Sequence, residues 1–280
     1  MAVVLALSSA VVYGASDFLG GLASRRATVF GVVALSQLAG LVALLALLPW
    51  LGGPATRADL GWGAAAGLVG ATGLLIFFRA LSRGVMSVVA PVTAVTAAAV
   101  PVLAGLLAGN RIGPAAGIGI ALALVAVVLV SAEGGLGRLR TARPATLGAP
   151  LAAGAAFGCF FVLLDRTSAD SGLTPLVAAR LASFVLVVVV ALAGRRSLRV
   201  GRTALPIVLA SGVGDMTANA LFLLATQQDG QLAITGVLAS LYPVSTVVLA
   251  QSVLRERLVP AQVAGLAAAI GAVVLITLPG

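Results

Sequence analysis

Long apolar runs, interrupted at fairly even intervals by Arg, Asp, Pro or Gly, occupy nearly the whole chain. They are Ala2–Gly21, Thr28–Trp50, Leu60–Phe78, Val85–Leu107, Ile112–Ser131, Leu147–Leu164, Leu173–Ala193, Leu205–Ala225, Gln231–Leu254 and Val259–Leu278. Each is close to the roughly 20 residues that a helix needs to cross the hydrocarbon of a bilayer. None alternates with the period of two that marks an outer-membrane strand. The pattern predicts an all-α integral membrane protein with ten transmembrane helices. The first run lacks a basic leading segment and contains Asp17, so it reads as a retained helix and not a signal peptide.

The longest polar connection is 132–146, with Glu133, Arg138, Arg140, Arg143 and Pro144. It divides the chain into 1–131 and 147–280, five runs on each side. The halves resemble each other. A displacement of 146 residues places Gly84 on Gly230, Val102-Leu103-Ala104 on Val248-Leu249-Ala250, and Arg111 on Arg257. It also places Pro114 on Pro260, Ala115 on Ala261 and Gly119 on Gly265, while a displacement of 143 places Gln37-Leu38-Ala39 on Arg180-Leu181-Ala182. An odd number of spans per half makes the second half enter the bilayer in the opposite direction. The expected architecture is two inverted-topology five-helix repeats, as in secondary transporters, with a site near the midplane between them.

Composition narrows the chemistry. At 61% apolar, 9% charged and a mean hydropathy of +1.18, the 280 residues exceed what one water-soluble core can hide. All 17 basic residues are Arg, and Lys and His are absent. Without His, and with Cys159 as the single cysteine, an internal disulfide, a metal site and His-based acid–base catalysis fall away. No phosphate-binding loop of the Gly-x-x-x-x-Gly-Lys type exists, so neither a cofactor nor ATP-driven work is expected, and no enzyme. Thirteen Arg fall in connections after odd-numbered spans and three (Arg57, Arg111, Arg166) in the others. The positive-inside rule then puts both termini outside, and the net charge of +9 serves orientation and lipid headgroups, not nucleic acid.

Several stretches resemble the EamA family of the drug/metabolite transporter superfamily, in its ten-helix form. They are Tyr13-Gly-Ala-Ser-Asp17-Phe-Leu-Gly-Gly21, Arg79-Ala-Leu-Ser-Arg-Gly84, Ser240-Leu-Tyr-Pro243, and Leu254-Arg-Glu-Arg257 with Gln262 and Gly265. Arg180 matches a basic residue that the family often carries in the second helix of a repeat. The first half departs from the pattern, with Asn110 for the loop Glu and Gln37 for the helix Arg. The resemblance implies transport of small metabolites or drugs, commonly efflux, without naming a substrate. Its usual topology has both termini inside, opposite to the Arg count.

Asp17, Arg180 and Asp215 are ionisable groups inside apolar runs, where each must face protein or water and find a partner. Asp215 is near the middle of span 8 and Arg180 two turns into span 7, so an Arg180–Asp215 ion pair is expected, either structural or as an anion holder and proton switch. Asn219 and Phe222 share the helical face of Asp215, a face suited to a cavity. Tyr13, Ser16, Asp17 and Gly20 share another, with Arg25 or Arg26 as alternative partners for Asp17. Tyr242, Pro243 and Ser245 lie mid-span in span 9, and Pro91 and Pro101 in span 4, so kinks are expected in both. Gly63/Gly67, Gly113/Gly117 and Gly154/Gly158 have the spacing of close helix contacts. Trp50 and Trp62 suit interfacial anchors, and Glu256 a headgroup-level salt bridge.

The reading is a secondary transporter of the bacterial inner membrane, multi-pass, exporting by alternating access around a cavity lined by spans 1, 2, 4, 7, 8 and 9. Tyr13, Gln37, Arg180, Asn219 and Tyr242 are the candidate substrate-binding residues, and Asp17 and Asp215 the candidates for proton coupling or ion pairing. An Arg opposite an anionic group points to acidic or zwitterionic metabolites. The partners are a small-molecule substrate and the bilayer, with a homodimer left open. Two alternatives stand: a lipid or polyprenyl-carrier translocase, with a lateral opening and a cavity polar on one side only, and a non-transporting membrane subunit, with no cavity.

Overall fold

Every apolar run folds into helix, and the polar or proline residues between runs set the boundaries. This computed structural model describes all residues except 84–85, 111, 132–146, 229–230, 256–257 and 278–280, and further omits the side chains of 78, 81–83, 86–88 and 90–91. The linker 132–146, Gly84, Gly230, Arg111, Glu256 and Arg257 thus lie outside the described residues.

The helices are α1 Ala2–Ser24, α2 Val29–Leu51, α3 Arg57–Arg83, α4 Met86–Leu107, α5 Pro114–Ser131, α6 Gly148–Asp165, α7 Thr174–Ala193, α8 Leu205–Gln227, α9 Leu232–Ala239, α10 Tyr242–Leu254 and α11 Pro260–Thr277. Pro114 and Pro260 open α5 and α11, and Pro175, Pro206 and Pro243 stand in the first turns of α7, α8 and α10. Proline costs least there, because those N–H groups have no intrahelical acceptor. Thr28 caps α2 by accepting from the Gly31 N–H at 3.3 Å. Thr56 and Asp59 form a reciprocal capping box at the start of α3, each accepting the other's backbone N–H (2.8 and 3.1 Å).

Among the described residues, nine spans are long and apolar enough to cross a membrane, counting Leu232–Leu254 as one. The tenth run, α4, carries the shorter apolar stretch Val92–Leu107. Span 9 is divided into α9 and α10 at Ser240–Leu241, just before Pro243. Span 4 differs from expectation: α4 runs unbroken through Pro91 and Pro101. The ring of Pro101 packs against Gly236 of α9, where the missing Cβ leaves room for it.

Packing crosses between the halves. α1 lies against α8 and α10, and α6 against α3 and α4; α2 meets α8, α3 meets α7, and α5 pairs with α11. The seams repeat. Gly119 faces Ile276 while Gly265 faces Val130, and those four positions are two pairs of equivalents under the same displacement. Likewise Gly14 abuts the Tyr242 carbonyl and Ser245, and Gly158 the Ala97 carbonyl and Val100. Gly67 sits on the Ala179 carbonyl, and Gly212 on that of Ser36. At each seam a glycine lets two backbones approach where any Cβ would collide. Gly63 and Gly154 take part in the same seams, on Pro175 and Thr93. Gly113 and Gly117 do not: among the described residues a Cβ on Gly113 would meet nothing within 4 Å, and one on Gly117 only Ile112 of its own segment.

The outer surface carries Val4, Val42, Leu107, Leu192 and Ile270 exposed, as lipid contact requires, and Trp50 and Trp62 are exposed as well. Connections gather by parity. At one end Gly53 N donates to the Ser171 carbonyl (3.1 Å), Asp59 accepts from Ser168 N (2.8 Å), and Gln227 donates to the Gly172 carbonyl (3.0 Å). Asn110 accepts from Ala233 N there too (3.4 Å). Gly172, at φ +52°, tucks beneath Leu51 and Gly52, a conformation suited to glycine. At the other end Thr28 donates to the Ser197 carbonyl (2.8 Å), joining the α1–α2 and α7–α8 connections, both rich in Arg.

Candidate functional site

Arg180 occupies the centre of the molecule. It stands on the second turn of α7; Gly40 of α2 lies beside its guanidinium, and Gly67 of α3 sits on the backbone of its neighbour Ala179. Each of its nitrogens has a partner. Nη2 pairs with Asp215 Oδ2 of α8 at 2.5 Å, Nη1 donates to Gln37 Oε1 of α2, and Nε meets the Met216 sulfur at 3.2 Å. This is the ion pair expected from sequence, and among the described residues it is the one ion pair. The Arg180 side chain is 8% exposed and that of Asp215 34%, so the carboxylate faces open space while the guanidinium is enclosed.

That space is a cavity of about 190 Å³. Tyr13, Asp17, Gln37, Arg180, Asp215, Asn219 and Tyr242, the candidates named from sequence, all line it. Asn219 donates to the Asp215 backbone carbonyl (2.7 Å) and weakly to its carboxylate (3.4 Å), which holds its amide in place. Its Oδ1 is buried with no donor. The rings of Tyr13 and Tyr242 stand 6.4 Å apart, and Tyr13 lies edge-on to Phe161 at 6.2 Å.

The expected helix faces divide. Tyr13 and Asp17 reach the cavity, whereas Ser16 bonds to the Ser211 carbonyl and Gly20 faces the Ser211 hydroxyl, so both belong to the α1–α8 seam. Neither Arg25 nor Arg26 pairs with Asp17; they lie more than two turns further along the chain, beyond side-chain reach. Phe222 is not a cavity residue. It shares the direction of Asp215 but stands two turns away, fully buried, its ring tilted at 45° against that of Phe161 with centroids 4.4 Å apart.

Sequence reasoning missed one wall. Gly70, Ala71 and Leu74 of α3, Ala97 of α4, Phe157, Phe160 and Phe161 of α6, and Leu176, Ala179 and Ser183 of α7 also line the cavity. The wall follows from the repeat. The seams that place Gly14 on Gly158 also place Tyr13 on Phe157 and Asp17 on Phe161. Those that place Gly67 on Gly212 put Gly70 on Asp215 and Leu74 on Asn219, and Ala97 on α4 corresponds to Tyr242 on α10. Each of five polar groups therefore looks across at an apolar equivalent. The cavity has one polar wall, from α1, α8 and α10, and one apolar, largely aromatic wall, from α3, α4 and α6.

The chain as a whole resembles known proteins. The model of a family described as EamA-like transporters matches residues 1–132 and 146–278. A solved structure, described only as a crystal structure of a protein, superposes with a TM-score of 0.77 at 18% identity, over 99% of this chain and 96% of that one. Likeness at that identity speaks for the fold. No curated protein matches the chain.

Proposed function

We propose that this chain, which belongs to the EamA-like transporter family, is a secondary transporter that exports a small metabolite or drug across the bacterial inner membrane. Its ten spans form two inverted five-helix repeats, with α9 and α10 as one broken span. The reading is supported above all by the cavity, which is lined from both halves and carries the Arg180–Asp215 pair in its wall. Intramembrane charges mark transport pathways, and inverted repeats place their site where the halves meet. The crossed glycine seams support a two-fold relation between the halves, because these contacts have their exchanged counterparts, and an odd number of spans per half makes that relation an inversion.

In this mechanism Asp215 is the switch. Ionised, it ties α8 to α7 through Arg180, and Gln37 ties α2 to the same guanidinium. A proton on Asp215 neutralises one partner and frees α8 to move relative to α7. Arg180 faces it from α7 and Asn219 lies beside it on α8, while Tyr13 and Asp17 line the same cavity from α1. Alternating access is then exchange between two such packings around a fixed site.

A lipid or polyprenyl-carrier translocase is the second reading, favoured by the one-sided polarity of the cavity. Its small volume favours a compact substrate, since drug-sized ligands take about 300–1,000 Å³. A non-transporting subunit would need no such chamber.

A thermal-shift panel of amino acids, nucleobases, sugars, cationic drugs and short-chain lipids at pH 5.5 and 7.5, followed by counterflow in proteoliposomes, tests the reading. A small molecule that stabilises wild type but not a folded Arg180→Ala variant, and that exchanges across the vesicle, is the expected result. Stabilisation by lipid alone selects the translocase. Transport and pH dependence unaltered in Asp215→Asn would remove the proton role.

A further inference from the structure

The unmet groups at the cavity's polar wall are acceptors. Arg180 is engaged at all three nitrogens, and its charge is met by Asp215. Asp17, in contrast, has no hydrogen bond or ion pair among the described residues, though it lines the same chamber. Asn219 is 4% exposed, and its Oδ1 is buried without a donor while its amide is held by Asp215. The Asp17 carboxylate is the acceptor open to the chamber, and it calls for an N–H donor carrying positive charge, whereas the Asn219 oxygen is closed off behind it. The neighbouring faces of Tyr13 and Tyr242 attract cations as well. Opposite them the wall offers Phe157, Phe160, Phe161 and Leu74, which have no polar atom beyond the backbone to give.

We propose that the cavity takes a small amphipathic amine, its ammonium at Asp17 and its aromatic or branched body against the α6 phenylalanines. This rests on the transporter reading and replaces the acidic or zwitterionic substrate suggested by Arg180 alone, because that guanidinium is already neutralised within the protein. The cavity volume of about 190 Å³ suits a body of about one ring.

Binding to the full chain in detergent is compared for phenethylamine, phenylacetate, 2-phenylethanol and ethylamine. Phenethylamine is expected to bind at least about tenfold more tightly than the other three, each of which lacks the charge, its sign or the body. Asp17→Asn should weaken phenethylamine by about tenfold and leave 2-phenylethanol unchanged, and Asp17→Glu should restore part of the loss. Phe160→Ala should weaken phenethylamine and leave ethylamine unchanged. Phenylacetate or 2-phenylethanol binding as well as phenethylamine, no binding of any probe to folded wild type, or full affinity in Asp17→Asn would each overturn the amine class. The wild-type comparison needs no variant to fold. Phenethylamine that binds selectively but is not carried across proteoliposomes would keep the ligand class and defeat transport instead.

Discussion

Arg180 donates through Nη1 to Gln37 Oε1, and the two residues hold equivalent places in the two halves of the chain. Where two halves are related by a two-fold, a position meets its own equivalent only on the axis. The Gln37–Arg180 bond thus marks the line about which the crossed seams exchange, and it lies in the wall of the cavity.

Gln37→Ala removes the acceptor from an enclosed guanidinium N–H. Stranding a buried donor costs about 1–3 kcal/mol, so a lower thermal midpoint in detergent is expected, with the fold retained. Gln37→Arg should be worse, since it sets a second guanidinium against the first. A stability equal to wild type in both variants would show that the bond carries no weight.

The Arg180–Asp215 pair calls for a double-mutant cycle. Removing one partner of a buried pair costs about 3–5 kcal/mol. Here the open side of Asp215 lets solvent screen the loss, so about 2–3 kcal/mol is expected for Asp215→Asn. Arg180→Gln should cost a similar amount. The double variant leaves no unpaired charge and should cost less than the two singles together, by about 1–3 kcal/mol. Unfolding midpoints of the four proteins measure the coupling, and strict additivity would mean that the pair is not mutually stabilising.

Glycine seams give a test of the exchange symmetry. A Cβ at Gly67 would meet the Ala179 backbone and one at Gly212 the Ser36 backbone. Gly67→Val and Gly212→Val should each destabilise, by about 1–3 kcal/mol or more, since backbone cannot move aside as a side chain can. Gly61 on α3, where an added Cβ would meet nothing within 4 Å, is the control. Gly61→Ala should be neutral or stabilising by up to about 1 kcal/mol. Equal effects at Gly61 and Gly212 would argue that the seams are loose.

The spans were legible because a bilayer demands apolar residues all round a helix, and the runs therefore stand out without periodicity. Asp17, Arg180 and Asp215 were legible for the same reason, as charges where charge is costly. The break between α9 and α10 followed from Pro243. The continuity of α4 did not follow from Pro101, because what tolerates that proline is Gly236 on another helix, a tertiary fact. The apolar wall escaped because Phe157, Phe160 and Phe161 look like any other apolar residues in such a chain. Only the pairing of repeats sets them opposite Tyr13 and Asp17. Phe222 was misplaced because helical phase gives direction and not depth.

Orientation can be decided chemically. The structure groups the connections after α2, α6 and α8 at one end, and those after α1 and α7, which carry Arg25, Arg26, Arg195, Arg196, Arg199 and Arg202, at the other. The positive-inside rule assigns the second group to the cytoplasm and both termini to the opposite face. Cys159 is the single cysteine, so a Cys159→Ala background is silent to thiol reagents. Asp170 and Arg199 are exposed at opposite ends and serve as reporters. In intact cells a membrane-impermeant maleimide should label Asp170→Cys and spare Arg199→Cys, and permeabilised cells should label both. The reverse pattern would place the Arg-rich end outside. In that case the Arg bias has another role, headgroup binding at the outer leaflet, and the termini lie inside as in the family's usual topology.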